Sequence, residues 1–281
     1  MRKKRKTCVI YPRLGLRPPF GYDINWFRLG GVGLGNLLLT WARAEVLAKQ
    51  FSLPILAPAF SQLCLGPIRR RERDWRTYNG MFQRDPNFIY GITRLWYLLK
   101  TKRIAESEIS SIDSQADSYC VQVEGIEGLF RPIRGHEDFI RARLTEIVNP
   151  IYSFPIMPRT GVIGVHIRLG DFNKLGWSTP IDWFATQVSN VTREHDIKSI
   201  EIYSDAKDKT IFEAIKQAGR GLHVSDKSEL PAITSIMRLA SCGFLVGSNR
   251  STFSMWAAYL GKANIRFPDP IELVKSGLGD K

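Results

Sequence analysis

The chain has 281 residues, 44% of them hydrophobic, and its 40 Lys and Arg against 27 Asp and Glu give a net charge of +13. This length exceeds one average domain and supports one large or two medium units that bury their own cores without disulfides or a structural metal. The charge suits phosphate-rich partners such as nucleotide-sugars, anionic lipid head groups or nucleic acid, and no run of eighteen apolar residues offers a membrane-spanning helix.

Residues 1–6 form a basic cluster like the start of an export signal, but Tyr11, Pro12, Arg13, Arg17, Pro18 and Pro19 interrupt the apolar stretch that should follow. Cys8, Cys64, Cys120 and Cys242 stand far apart with no C-x-x-C pair, which argues against a zinc ribbon and a secreted disulfide framework. A reducing, cytoplasmic setting is expected. Next comes Gly30-Gly31-Val32-Gly33-Leu34-Gly35-Asn36, followed by residues 37–51 with helical apolar spacing. A glycine loop opening a helix lets the backbone approach a ligand or another domain, so Gly31, Gly33, Gly35 and Asn36 are site candidates. The loop is not a dinucleotide fingerprint, because Asn36 stands where a third glycine is needed, and no G-K-[ST] ending makes it a P-loop. A tight structural turn and a ligand-approaching loop both fit.

Residues 68–103 carry ten bases against three acids, interleaved with Trp75, Tyr78, Phe82, Phe88, Tyr90, Trp96 and Tyr97. Such a segment suits an anionic membrane interface presenting a lipid-linked acceptor, or single-stranded nucleic acid. Its plainer reading makes the aromatics core and the arginines a solvated face.

Residues 149–159, with Pro150, Pro155 and Pro158, read as an extended linker, giving an N-terminal domain over 1–150 and a C-terminal domain over 151–281. In the second domain, residues 162–167, 200–203 and 244–246 are short β-branched or aromatic runs that predict buried parallel strands. Residues 181–193, 210–218, 231–240 and 251–260 predict helices between and after them. Alternating strands and helices imply a doubly wound α/β sheet.

In such a sheet ligands bind beyond the carboxyl ends of the strands. Three strand ends here carry unusual chemistry. The first places His166 and Arg168 on one face with Gly170 and Asp171 behind them; Arg168 can fork onto a phosphate, or simply pair with Asp171. The second ends at Asp205, which can accept from a ribose or a guanine edge, or cap a turn. The third runs through Ser248, Asn249 and Arg250 to Ser251 and Thr252 at a helix start, a place that binds an anion or is N-capped by Ser251. All three suit a nucleotide diphosphate.

The segments Gly30 to Asn36, His166-Ile167-Arg168-Leu169-Gly170-Asp171, Tyr203-Ser204-Asp205 and Ser251-Thr252-Phe253-Ser254-Met255-Trp256 stand in an order that resembles the bacterial α-1,2-fucosyltransferase-like glycosyltransferases and, more distantly, α-1,6 and protein O-fucosyltransferases. The resemblance implies a GT-B architecture of two facing Rossmann-like domains. It implies inverting transfer of fucose from GDP-fucose to a glycan acceptor, with no cofactor and no metal; the chain contains no D-x-D triplet to hold one. By the same resemblance Arg168 meets the β-phosphate and acts catalytically, His166 the nucleoside or a phosphate, Asp205 the nucleoside, and Asn249, Ser251 and Thr252 the diphosphate. Asp171 orients Arg168 or, like Asp23, serves as base. Leu169 and Met255 depart from the family pattern, so a GT-B transferase with another donor sugar is one alternative. A non-enzymatic nucleic-acid-binding protein is the other, and it leaves the strand-end residues unexplained.

Overall fold

The computed structural model describes residues 8–14, 23–24, 27–28, 32–69, 76–111 and 118–278. The chain divides into two compact units, Met1–Asn149 and Pro150–Lys281. Among the described residues no helix is long and apolar enough to cross a membrane.

The first unit runs β1 (Val9–Arg13), β2 (Asp23–Ile24), β3 (Phe27–Arg28), α1 (Leu34–Phe51), β4 (Ile55–Leu56), β5 (Leu63–Cys64), α2 (Leu65–Arg69), β6 (Phe88–Ile89), α3 (Gly91–Lys100), β7 (Lys102–Ala105), β8 (Tyr119–Glu124) and α4 (Glu137–Ile147). Its main sheet has the order β6-β4-β1-β8-β7, and every neighbouring pair in it is parallel. A small separate sheet joins β2, β3 and β5. Strand alternation splits the core in two. Ile10, Val121 and Val123 turn toward Ala44 of α1, whereas Val9, Tyr11 and Cys120 turn toward Tyr97 of α3. Two-residue strands such as β4 and β6 carry no alternation pattern of their own, so nothing in the sequence marks them as strands; burial of Ile55 and Leu56 beside β1 holds them there.

The second unit runs β9 (Arg159–Ile167), α5 (Gly170–Leu175), α6 (Ile181–Glu194), β10 (Ser199–Ser204), α7 (Phe212–Ala218), β11 (His223–Asp226), α8 (Ala232–Ser241), β12 (Cys242–Gly247), α9 (Thr252–Leu260), β13 (Asn264–Arg266) and α10 (Pro270–Ser276). The sheet order is β11-β10-β9-β12-β13, all parallel. It is doubly wound, with its switch between β9 and β12, as the alternating pattern predicts. Ile163, Val165 and Ile167 of β9 pack with Phe184 and Val188 of α6 and Phe212 and Ile215 of α7. Each such side chain contributes about 1.5–3 kcal/mol on leaving water. The alternate residue His166 faces Ser254 of α9, so β9 is covered on both faces and its sequence reads as a continuous apolar run.

One buried ionic cluster ties β9, β10 and α8 together. Arg159 forks onto Glu201 at 2.9 and 3.0 Å, Tyr203 donates its hydroxyl to the same carboxylate at 2.6 Å, and Arg238 completes the group. Both guanidiniums also lie over the Phe154 ring, at 5.4 and 4.5 Å.

Candidate functional site

At the switch point the chain leaves β9 and β12 toward opposite faces of the sheet, which opens a crevice past their carboxyl ends. Arg168 and Leu169 follow β9, residues 248–251 follow β12, and Asp205 follows β10. The structure therefore gathers His166, Arg168, Asp205, Asn249, Ser251 and Thr252 at one end of one sheet.

Ser248 fastens the two sides of the crevice. It is 1% exposed, donates its hydroxyl to the His166 carbonyl at 2.9 Å and accepts the Arg168 amide at 2.7 Å. The His166 ring lies beneath, with Nδ1 2.6 Å from Ser254 Oγ and its plane stacked on Phe253 at 4.8 Å. Burial, and secondarily the nearby Arg168 charge, push its pKa down to about 3, so the imidazole is neutral. Arg168 brings a positive charge to the crevice.

Arg168 Nη1 lies 2.7 Å from Asp205 Oδ2, and the guanidinium stands 5.7 Å from the Phe172 ring centre. The other Asp205 oxygen accepts the Leu169 amide at 2.8 Å. A Cβ at Gly170 would fall 2.6 Å from Asp205 Oδ2, so the carboxylate reaches Arg168 only because residue 170 has no side chain. The sequence offered Asp171 as the partner that orients Arg168; the described partner is Asp205, and the side chain of Asp171 lies outside the described residues.

Ser251 precedes α9 in an extended conformation (φ −86°, ψ 107°), and its carbonyl takes the Met255 amide at 3.0 Å, but its side chain makes no capping bond. Plain N-capping, the simplest role for Ser251, is not realised. The first turn of α9 keeps its capacity to meet an anion, with the hydroxyls of Ser251 and Thr252 beside it. Asn249 instead shapes the loop: its amide donates to Thr179 Oγ1 at 3.2 Å and its Oδ1 accepts the Arg250 amide at 3.1 Å. That bond accompanies a left-handed Arg250 (φ 53°), whose guanidinium lies 5.4 Å from the Trp177 ring centre and 3.2 Å from Glu272.

In the first unit Gly31 lies outside the described residues. Gly33 is the N-cap of α1 with an extended backbone (φ −72°, ψ 161°), and a Cβ there would meet nothing within 4 Å. Neither conformation nor internal packing demands glycine at this position. Gly35 and Asn36 belong to the first turn of α1, which begins three residues before the helix the apolar spacing predicts. Asn36 Oδ1 is buried with no hydrogen-bond partner. A buried unsatisfied acceptor is uncommon and costs about 1–3 kcal/mol.

Three contributors escaped the sequence reading: Ser248 as a staple, Ser254 with Phe253 as the seat of His166, and Thr179 as the anchor of Asn249. The crowding of hydroxyls at Ser248, Ser251, Thr252 and Ser254 was visible, but which of them faces inward depends on the turn of the chain at Arg250.

Two parallel α/β sheets, one of them carrying this cluster at its switch point, give the chain a GT-B fold that solved structures share. A solved structure of POFUT1 in complex with GDP matches it at a TM-score of 0.52 and 12% identity, over 94% of this chain and 99% of the other. A FUT1 mutant from Arabidopsis thaliana in complex with GDP matches at a TM-score of 0.51 and 11% identity, over 95% of this chain and 71% of the other. The likeness is one of fold. No protein-family model matches the sequence, and no curated protein does.

Proposed function

We propose that the protein is an inverting glycosyltransferase that moves a sugar, with L-fucose from GDP-fucose the leading donor, onto a hydroxyl of a glycan acceptor without a metal. The single observation that carries this reading is the pairing, across one switch point, of a guanidinium held in place by Asp205 with a helix start that no side chain caps. Both are suited to a diphosphate: the guanidinium offers a planar fork of N–H donors, and the helix start offers amides and the positive end of a dipole. The solved structures of similar fold hold GDP, which agrees with this choice of ligand.

In the proposed reaction the acceptor oxygen attacks the anomeric carbon as the bond from that carbon to the β-phosphate oxygen breaks. GDP departs with the bonding electrons, and the acceptor proton passes to a base, for which Asp171 and Asp23 are candidates. Charge accumulates on the β-phosphate, where Arg168 and the start of α9 stabilise it; each well-placed donor of this kind is worth about 3–4 kcal/mol of barrier. With the His166 imidazole neutral, its second nitrogen can meet the nucleoside, while Asn249, Ser251 and Thr252 line the diphosphate. Asp205 acts here through Arg168. Within the first unit, Gly33 leaves open space beside the start of α1 and Asn36 keeps a buried Oδ1 that can accept from a ligand hydroxyl.

The test is release of GDP from GDP-fucose with EDTA present, with and without a mixture of oligosaccharide acceptors. Acceptor-dependent, EDTA-insensitive GDP release and a product carrying fucose are expected. Binding of GDP without any turnover of GDP-fucose would leave the donor-sugar assignment wrong, and activity lost in EDTA would contradict the metal-independent mechanism.

A further inference from the structure

Helix α3 is turned inside out. Its buried residues are Arg94 and Tyr97: the Arg94 Nε donates to the Ala57 carbonyl at 3.0 Å, and its guanidinium lies 5.5 Å from the Tyr11 ring centre. Four of its large apolar residues instead face outward. Ile92 is 85% exposed, Leu95 47%, Trp96 51% and Leu99 71%. At 100° per residue these four fall in one stripe about 100° wide, opposite Arg94 and Tyr97. Water gains nothing from such a stripe, so something else is expected to cover it.

Charge says what. The stripe ends on exposed Lys100, Lys102 and Arg103, and the last of these donates to the Leu98 carbonyl at 3.3 Å, which draws it to the end of the helix. A second copy packed parallel to this helix would bring the two cationic rims together. Four side chains on one short helix also fall short of the roughly 800 Å² per partner of a stable dimer. An anionic bilayer compensates the cations and accepts the apolar side chains. Tryptophan, held here edge-on by Tyr97 at 5.1 Å, is the residue type that settles at the boundary between head groups and acyl chains.

We propose that α3 is a membrane-docking helix: the stripe of Ile92, Leu95, Trp96 and Leu99 enters the surface layer of an anionic bilayer while Lys100, Lys102 and Arg103 pair with its head groups. Docking of this kind stands apart from the transferase reading, since it is measured without donor or turnover. It also matches that reading, because it would bring the enzyme to acceptors carried on lipid.

The experiment is co-sedimentation of the full chain with vesicles of phosphatidylcholine alone or mixed with phosphatidylglycerol. Two double variants accompany it, Trp96→Ser with Leu99→Ser and Lys100→Glu with Lys102→Glu, together with light scattering for the oligomeric state. All four positions are exposed, so urea midpoints should match the parent chain. The parent chain is expected to sediment with the mixed vesicles and not with phosphatidylcholine alone, and each double variant to partition at least tenfold less. No binding to mixed vesicles, or equal binding by the serine variant, would overturn the proposal. A parent dimer that the serine variant converts to monomer would overturn it too, by giving the face to a second copy.

Discussion

Arg168 and Asp205 form an ion pair of 2.7 Å whose carboxylate simultaneously holds the Leu169 amide at 2.8 Å. Two strand ends are thereby joined through one acid. The acid at the tip of β10 is expected from sequence to meet the nucleoside; both of its oxygens engage the turn after β9, and in the proposed reaction it positions Arg168. A guanidinium fixed in this way loses less freedom when a phosphate arrives, and orientation of this kind is part of a catalytic barrier.

The pair separates two kinetic outcomes. Arg168→Ala removes the group that meets charge on the leaving diphosphate, so turnover should fall about 100- to 1,000-fold and GDP affinity should fall with it. Asp205→Asn keeps an acceptor for Leu169 and removes only the charge, so turnover should fall about tenfold while GDP affinity changes by less than about threefold. Steady-state kinetics with calorimetric GDP titration reads both. Equal loss of GDP affinity in the two variants would return Asp205 to direct contact with the nucleotide.

Two glycines should behave oppositely. Gly170→Ala sets a methyl 2.6 Å from Asp205 Oδ2 and must displace the clamp, so it should lower both the melting temperature and turnover. Gly33→Ala meets open space on an ordinary extended backbone, so stability should hold or rise by about 0.4–1 kcal/mol. Turnover should nevertheless fall if a ligand approaches there. Urea unfolding beside an activity assay separates stability from function, and an unchanged activity in Gly33→Ala would leave the glycine loop a structural turn.

The contrast between these glycines also shows what the sequence makes legible. Strands β9, β10 and β12 and helices α6 to α9 follow from β-branched runs alternating with helical spacing, because a strand buried on both faces and an amphipathic helix each leave a pattern; β11, β13, α5 and α10 were not read from the sequence. Two-residue strands such as β4 leave none. The site residues were legible as a set, since strand ends are readable, but their pairing was not. Whether Arg168 meets the acid at the end of the neighbouring strand is decided by sheet order, and sheet order is not a local property of the chain. The basic, aromatic segment misleads for a related reason: Tyr78, Phe88 and Tyr97 are core as the plain reading holds, yet Arg94 is buried and Trp96 exposed.

Ser248→Ala should cost about 1–3 kcal/mol, because it strips a hydrogen-bond partner from both the Arg168 amide and the His166 carbonyl. Ser251→Ala, at a residue whose side chain makes no capping bond, should leave stability nearly unchanged and weaken GDP binding. Urea midpoints of the two variants distinguish them; a marked loss of stability in Ser251→Ala would restore a capping role.

Acid should destabilise the second unit in two windows. Burial keeps His166 neutral with a pKa near 3, far below its ordinary 6.5, so the unfolded chain takes up a proton that the folded chain refuses. That contribution is whole above about pH 6.5 and shrinks as pH falls, at no more than about 1.4 kcal/mol per pH unit. Glu201 starts lower. Desolvation raises its pKa, but hydrogen bonds from Arg159, Tyr203 and Arg238 outweigh that and bring it down to about 2 from 4.5. Its contribution is whole above about 4.5 and is lost toward 2. Thermal melting against pH should therefore decline first below 6.5. In His166→Gln the decline between 6.5 and 4.5 should flatten, and a persistent slope there would assign the first window to another group.

Thermal melting of the purified chain with GDP, UDP, ADP and NAD, each with and without EDTA, reads the nucleotide preference of the switch-point site without any acceptor. A ligand that binds only the folded state raises apparent stability, by about 2.7 kcal/mol at a hundred times its dissociation constant. Stabilisation selective for GDP, unchanged by EDTA and abolished in Arg168→Ala is the predicted result. No response to GDP, or a larger one to UDP, would contradict a GDP-sugar site at the β9–β12 switch point.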